Sequence, residues 1–265
     1  MGPLFSETRN PLRFCAPAEA KMEFDNVGLL VGDTESTAKK TLLSLDITSG
    51  VIDEAAALGC ELIVSHHPLI FSVKTVNNLT VSGRSLMALL SRGISAICMH
   101  TNLDAAPGGV NDALAAACGI ADPHILAAEG RYADGREFSY GREGFLAAPT
   151  PLHKYLSQLK KSLDCNGLRY YDSGRAVFRV SVVGGSGGDY LERAKDSGCD
   201  TLVTGEAKYS AFLLAAELGV NLIDADHFCT ENTVIPALQS RLSAHFPGSE
   251  FVISKTHGQT ASFFV

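Results

Sequence analysis

The sequence lacks the features that mark several classes of protein. It has no run of Lys or Arg, and its formal net charge is −7, so it offers no basic surface for nucleic acid or an anionic membrane. No apolar run approaches the roughly 20 residues that span a bilayer. Residues 1–14 also lack the long apolar segment of a secretion signal. These absences predict a protein with neither a membrane nor nucleic acid as its partner.

The cysteines also exclude two kinds of site. There are seven of them, an odd number with no C-x-x-C pair, which argues against a disulfide framework and a thiolate zinc site. Cys229 lies inside a motif described below, where a core thiol or a neighbour of the site is favoured over a metal ligand. The others are expected to pack as small apolar side chains. Reduced thiols predict a cytoplasmic protein.

The sequence does contain a repeated pattern. The stretch "LLSLDITSGVIDEAAALGCELIVSHH" is typical of a strand, a helix that ends at Gly59 and a second strand. The later stretch "FRVSVVGGSGGDYLERAKDSGCDTLVTGE" repeats this pattern, with Gly198 at the position equivalent to Gly59. With 46% hydrophobic residues, a chain of 265 residues can bury a sizeable core around such βαβ units.

A further helix and strand follow each unit, and both strands run into similar residues. His100 is followed four residues later by Asp104, and His227 is followed four residues later by Glu231. Agreement in order, spacing and residue type predicts an internal duplication. We therefore expect an α/β protein with two lobes of alternating strands and helices, at residues 1–125 and 126–265.

Candidate ligands cluster at the predicted strand ends. In "ELIVSHHPLIF", Pro68 ends the strand and leaves two histidines at its carboxyl end, where open α/β sheets place their ligands. The duplication is expected to let such ends face one another. Imidazole with carboxylate suits Zn, Mn, Fe, Ni or Co, and three histidines with two carboxylates exceed the needs of one tetrahedral zinc. Two divalent ions fit better, held by His66, His67, Asp104, His227 and Glu231.

Other residues have more than one interpretation. His100 either binds metal directly or orients Asp104 from outside the coordination sphere. Glu206 aligns with His67 in the repeat, and could be a catalytic general base, an acceptor that orients a ligand, or a solvated carboxylate. The glycine-rich stretch "VSVVGGSGGDYLERA" either holds a phosphate at a helix start or forms a tight turn. The remaining histidines are expected to be structural.

Four ordered motifs, "FDNVGLLVG", "SHHPLIF", "HTNLDAAPGGVND" and "DHFCTE", resemble the NIF-three-like family. This family is also known as GTP cyclohydrolase I type 2-like or dinuclear metal centre proteins. The resemblance extends from about Ala16 to the C-terminal end. It implies two intertwined, duplicated α/β lobes with mixed sheets, two divalent metal ions, and a homohexameric ring built from dimers. It assigns metal binding to the same five residues, with His100 adjacent.

The chain departs from the family pattern at several positions. Phe24 stands where the family usually has Trp, and Asp226 and Phe228 stand where Gly and Tyr are common. Ser210 stands where a His is often found. These changes leave the ligands intact but alter the polar lining expected for the site. At 265 residues, the chain is similar to short members without an inserted middle domain.

The resemblance implies a metal-dependent hydrolase that acts on a small molecule such as a nucleotide. The family's name suggests opening of the imidazole ring of GTP with loss of formate. A metal-dependent phosphoesterase would use the same ions. A third alternative is a non-catalytic, metal-binding ring protein with a regulatory or chaperone role, so the sequence leaves open whether the protein is an enzyme.

Overall fold

The computed structural model describes residues 14–264, which divide into two compact units. The first unit contains the residues up to Ala106 together with Ile235–Gly258, and the second contains Pro107–Val234 with the residues from Gln259 onward. The units differ in their bounds from the predicted lobes 1–125 and 126–265. Residues 107–125 belong to the second unit, and residues 235–258 belong to the first. Residues 1–13, on which most of the prediction about a secretion signal depends, lie outside the described part.

The strands are numbered in chain order. In the first unit they are β1 (Gly28–Val31), β2 (Lys40–Ser44), β3 (Leu62–Ser65), β4 (Ser95–Cys98) and, from the C-terminal part of the chain, β13 (Glu250–Ile253). In the second unit they are β5 (His124–Ile125), β6 (Gly130–Arg131), β7 (Glu137–Phe138), β8 (Arg142–Thr150), β9 (Arg169–Tyr171), β10 (Val177–Val183), β11 (Thr201–Thr204) and β12 (Asn221–Asp224).

The helices are numbered in the same way. They are α1 (Ser49–Ala57), α2 (Val81–Arg92), α3 (Thr101–Ala105), α4 (Val110–Ala117), α5 (Leu152–Ser162), α6 (Leu191–Asp196), α7 (Tyr209–Leu218), α8 (His227–Glu231) and α9 (Val234–His245). Among residues 14–264, no helix combines the length and apolar character needed to cross a bilayer. The seven cysteines are free thiols and all are buried, as expected from the sequence.

The sheet of the first unit has the strand order β1-β4-β3-β2-β13. All its neighbouring strands are parallel except β1, which runs antiparallel to β4 at one edge. Every residue of β3 is buried, as expected for a central strand of a parallel sheet covered by helices. Val51 and Ile52 of α1 and Leu89 of α2 pack with Leu42 and Ile63 of the sheet to form the core.

The larger sheet of the second unit has the order β5-β8-β10-β11-β12-β9. Its strands β10, β11 and β12 are parallel. The strands β8 and β9, on either side of these three, run antiparallel to them, and β5 pairs antiparallel with β8 at the edge. A short hairpin in the glycine-rich stretch after residue 126 forms the small sheet of β6 and β7. The predicted α/β fold with mixed sheets is therefore confirmed.

The two units share a pattern that supports the predicted duplication. The order β1-β4-β3-β2 corresponds to β9-β12-β11-β10, with three parallel strands and an antiparallel edge in each. Gly93 and Gly219, aligned in the sequence, end α2 and α7 with φ of 65° and 62°. Left-handed glycines of this kind are common helix ends, and they fix where the next strand begins.

Candidate metal centre

The backbone after β3 places two histidines at the carboxyl edge of the first sheet. The His66 N–H donates to the Ser44 carbonyl at 3.3 Å, and the His67 N–H donates to the Leu45 carbonyl at 2.8 Å. Pairing with the chain of β2 thus continues for two residues beyond β3. Because His66 is almost completely buried, with 1% exposure, the packed sheet edge defines its position.

Each of three histidines in this unit has its Nδ1 atom next to an oxygen acceptor. His66 Nδ1 lies 2.9 Å from the Met99 carbonyl, and His67 Nδ1 lies 2.8 Å from Asp46 Oδ1. His100 Nδ1 lies 2.9 Å from Asp25 Oδ1. An oxygen acceptor at this position requires the proton on Nδ1, so the lone pair that can bind a metal is on Nε2. In all three rings the acceptor at Nδ1 leaves Nε2 as the nitrogen available to a metal.

The same three imidazoles are grouped closely enough to share an ion. The ring centroid of His66 lies 5.0 Å from that of His67 and 5.2 Å from that of His100, and one nitrogen from each ring lies within 4.8 Å of the others. Asp104, on α3, places Oδ1 3.6 Å from His66 Nε2. The first unit therefore presents three nitrogen donors and one carboxylate oxygen at one sheet edge.

Asp25 is the most enclosed of the carboxylates that contact these histidines. Its side chain is fully buried, and it accepts hydrogen bonds from His100 Nδ1 and from the backbone N–H and hydroxyl of Thr101. Burial raises the pKa of Asp25, but the hydrogen bonds from His100 and Thr101 outweigh it and hold the pKa well below its usual range. The carboxylate is thus ionised and fixes both the orientation of His100 and the start of α3.

The second unit contains a histidine and a carboxylate one helical turn apart on α8. His227 Nε2 lies 3.1 Å from Glu231 Oε2, and the Glu231 side chain is only 5% exposed. His227 Nδ1 lies 3.2 Å from Glu206 Oε2. Glu206 is 62% exposed and also accepts a hydrogen bond from the Ser186 hydroxyl at 2.7 Å. The hydrogen bonds from Ser186 and His227 lower the pKa of Glu206.

The glycine-rich loop after β10 lies directly against this pair. Gly185 has φ of +61°, and a Cβ atom there would lie 2.1 Å from Glu231 Oε1 and 3.1 Å from His227 Nε2. A side chain at this position would therefore displace both groups. Gly185 is needed for its backbone conformation and for the close approach of the loop to α8.

The N–H groups of this loop mostly donate within the protein. The Gly184 N–H donates to Asn111 Oδ1 at 2.8 Å, and the Gly187 N–H donates to the Thr204 hydroxyl at 2.8 Å. The Gly185 N–H donates to the Thr230 hydroxyl at 3.2 Å. A phosphate cradle needs such donors to point at the ligand. The structure therefore favours the tight-turn interpretation of this stretch.

Comparison with known proteins identifies the family. The model described as Duf34/NIF3 (NGG1p interacting factor 3) matches residues 5–259. The chain belongs to the Duf34/NIF3 family. A relative named GTP cyclohydrolase 1 type 2 homolog, from Clostridium perfringens, is 34% identical over 249 residues, covering 93% of this chain and 94% of that relative.

Solved structures agree with this assignment. A Staphylococcus aureus protein matches with a TM-score of 0.91 at 26% identity, covering 100% of both chains. A Bacillus cereus protein related to NIF3 matches with a TM-score of 0.90 at 24% identity, again covering 100% of both chains. The resemblance predicted from four motifs is therefore confirmed, and the fold is that of Duf34/NIF3 proteins.

The predicted site residues of this Duf34/NIF3 chain fall into two groups. His66, His67, His100 and Asp104 lie together in the first unit. In the second unit, His227, Glu231 and Glu206 lie together. Nδ1 of His100 lies next to Asp25, and Nδ1 of His227 lies next to Glu206. Their assignment as metal ligands or catalytic groups stays a prediction.

Sequence reasoning missed the two carboxylates that contact the first histidine group. Asp46 follows β2 by two residues and lies at the same carboxyl edge as His66, so the rule that identified the histidines could also have found it. Asp25 belongs to the quoted motif "FDNVGLLVG", but nothing in the neighbouring residues indicated a contact with His100. It lies in the loop before β1, and its contact with His100 spans 75 residues of sequence.

Proposed function

We propose that this Duf34/NIF3 protein binds two divalent metal ions and uses them to hydrolyse a nucleotide. The assigned ligands are His66, His67, His100, Asp104, His227 and Glu231. The observation that supports this most strongly is the group of three imidazoles, each with its Nδ1 next to an oxygen acceptor. Structural histidines do not need a common tautomer with their remaining nitrogens close together, whereas metal ligands do.

The donor chemistry fits the proposed ions. Neutral imidazoles with carboxylates bind Zn, Mn, Fe, Ni or Co, and the anionic Asp104 and Glu231 offset part of the positive charge. Six donors exceed the four that one tetrahedral zinc takes, which favours two ions over one. Among the described residues, the donors divide into a larger set in the first unit and the His227–Glu231 pair in the second.

Bound ions of this kind lower the pKa of a coordinated water and polarise the bond to be cleaved. The protein's own groups prepare the site for them. Asp25 and Asp46 hold the Nδ1 protons of His100 and His67, which keeps the opposite nitrogens aimed as donors. Glu206 does the same for His227 from a more exposed position. In this proposal Glu206 acts through His227, and its role as a general base is the alternative to test.

Three reactions are candidates for this site. The name of the Clostridium perfringens relative, GTP cyclohydrolase 1 type 2 homolog, favours GTP as substrate and release of formate as the outcome. A phosphoesterase would release phosphate from the same nucleotide with the same ions. The description of the family model as an interacting factor favours a third role, in which the protein binds metal and a protein partner without turnover. We also propose the homohexameric ring that the family resemblance implies.

Metal content and product release test the proposal together. Purified protein, His67→Ala and the control His124→Ala, which alters an exposed histidine, are compared by elemental analysis and then incubated with GTP. We expect two ions per chain in the wild type and the control, and a loss of metal affinity of about 100-fold in His67→Ala. Formate release that His67→Ala abolishes supports the cyclohydrolase reaction.

The other outcomes separate the alternatives. Release of phosphate alone supports the phosphoesterase. Two bound ions without turnover on a broad panel of nucleotides support the binding role. Equal metal content in all three proteins contradicts the proposed ligand set. The oligomeric state follows from the mass of the wild-type particle in solution.

A further inference from the structure

Two exposed phenylalanines lie beside His100 in the first unit. Phe24 is 65% exposed and Phe71 is 55% exposed. Their ring centroids are 6.4 Å apart at an interplanar angle of 41°, and the Phe71 ring lies 6.1 Å from the His100 ring at 69°. Phenylalanine normally buries most of its surface, and contiguous exposed apolar groups mark binding sites. The pair is therefore a feature that the metal ligands alone do not explain.

Hydrogen bonds connect the two loops that carry these rings. Phe24 immediately precedes Asp25, which accepts the hydrogen bond from His100 Nδ1. Asn26 Nδ2 donates to the Ile70 carbonyl at 2.9 Å, next to Phe71. The two loops that carry the rings are thus connected to each other and to His100, which places both rings beside that histidine before a ligand binds.

We propose that Phe24 and Phe71 form a stacking surface for the planar base of the substrate. The inference depends on the proposed function, because it assigns the base-binding part of the same site. Aromatic faces bind nucleobases by stacking, which strengthens binding by about tenfold or more per base. The contact between Phe71 and His100 makes this surface continuous with the candidate ligands. A base stacked there would hold the rest of the nucleotide beside the metal-binding nitrogens.

The composition of the chain provides a direct assay. The sequence contains no tryptophan, so Phe24→Trp introduces the only indole while keeping an aromatic face. Its fluorescence is followed while the protein is titrated with guanosine or with ribose 5-phosphate. We expect saturable quenching by guanosine, because a stacked purine quenches indole emission, and no saturable response to ribose 5-phosphate, which has no base.

Further variants separate stacking from general apolar contact. In the Phe24→Trp background, Phe71→Ala and Phe71→Leu should both weaken guanosine binding, by about tenfold for Phe71→Ala. Leucine keeps the apolar volume but not the aromatic face, so an unchanged affinity in Phe71→Leu contradicts stacking. Tyr209→Trp is the control, because Tyr209 is 77% exposed on α7 of the second unit. Its indole should show only linear, collisional quenching.

The outcomes distinguish this inference from the proposed function. Turnover of GTP by the wild type, with no saturable quenching in Phe24→Trp, overturns the stacking surface and leaves the hydrolase intact. Saturable quenching by guanosine in a protein that retains no metal supports the stacking surface and overturns the hydrolase. Emission that shifts with protein concentration and does not respond to guanosine indicates that a second copy covers the phenylalanines, which overturns the inference.

Discussion

The ends of β3 and β11 occupy equivalent places in the two units, yet they carry different chemistry. β3 is followed by His66 and His67, whereas β11 is followed by Gly205 and Glu206. The next strand in each unit does keep a common pattern, since β4 and β12 are both followed by a short helix with a histidine and a carboxylate. The two units thus share a framework in which one strand end carries a histidine and a carboxylate in both, whereas the other strand end carries different residues.

The two units also differ in how firmly their histidines are oriented. The Asp25 carboxylate, which contacts His100, is fully buried and accepts several hydrogen bonds. The carboxylate on His227, from Glu206, is 62% exposed. Hydrogen bonds in a buried setting are less screened by water and hold a fixed geometry more strongly. His100 is therefore held more rigidly than His227.

Two glycines with nearly the same positive φ provide the largest expected difference. Gly185→Ala places a Cβ 2.1 Å from Glu231 Oε1, whereas Gly219→Ala, at nearly the same φ, has nothing within 4 Å. Both substitutions should lower the free energy of unfolding by about 1–2 kcal/mol, because alanine is strained in the left-handed conformation. Only Gly185→Ala should also weaken metal binding, by at least about tenfold, because it displaces Glu231, a proposed ligand.

Chemical denaturation and metal titration of both variants measure these effects. Equal metal affinity in the two proteins would show that the His227–Glu231 pair is not part of the metal site. The close packing of Gly185 against the His227–Glu231 pair would then serve the fold and not metal binding.

Conservative changes at the orienting carboxylates sharpen the comparison of rigidity. Asp25→Asn keeps the shape but removes the charge that holds the His100 tautomer, and we expect a loss of metal affinity of about 10–100-fold. Glu206→Gln should lower the metal affinity only about threefold, because water can replace an exposed hydrogen-bond acceptor. Competition with a chelator measures both affinities. Nitrogen NMR of the imidazoles checks the tautomers, which a purely structural role for Asp25 would leave unchanged.

The smallest expected effect concerns β13. This strand pairs in parallel with β2, whereas the equivalent place in the second sheet is taken by the antiparallel strand β8. Glu54 of α1 accepts hydrogen bonds from Ser254, Lys255 and Thr256, just after β13. Burial raises the pKa of Glu54, but these bonds outweigh it and lower the pKa to about 2 from 4.5. A lowered pKa stabilises the folded state above the unfolded pKa, and this contribution is lost as the pH falls from 4.5 towards 2.

Glu54→Gln should therefore destabilise the protein by about 1 kcal/mol at neutral pH, a value reduced for partial exposure. The difference from the wild type should shrink as the pH falls below 4.5, which denaturation at several pH values measures. Glu217→Gln, on the exposed surface of α7, is the control. A difference that stays constant down to pH 2 would show that the charge of Glu54 does not hold the segment after β13.

The parts of the fold predicted from sequence are those that local pattern determines. The strands before His66 and His227, and the glycines that end the helices, follow from short stretches whose apolar periodicity and turn residues are consistent. β13 could not be placed in this way, because its pairing with β2 joins residues 250–253 to residues 40–43. Asp25 was missed for the same reason, since only tertiary structure brings a loop carboxylate to a histidine so distant in sequence.

The position of β13 also has a consequence for synthesis on the ribosome. The strands that precede His66, His67 and His100 are translated early, but their sheet gains its fifth strand only after residues 107–234 of the second unit have been made. Domains usually fold in the order in which they emerge. Here the unit that begins first is completed only after residues 107–234 of the second unit have been made, so a nascent chain exposes the edge of β2 to chaperones or to other chains for most of its translation.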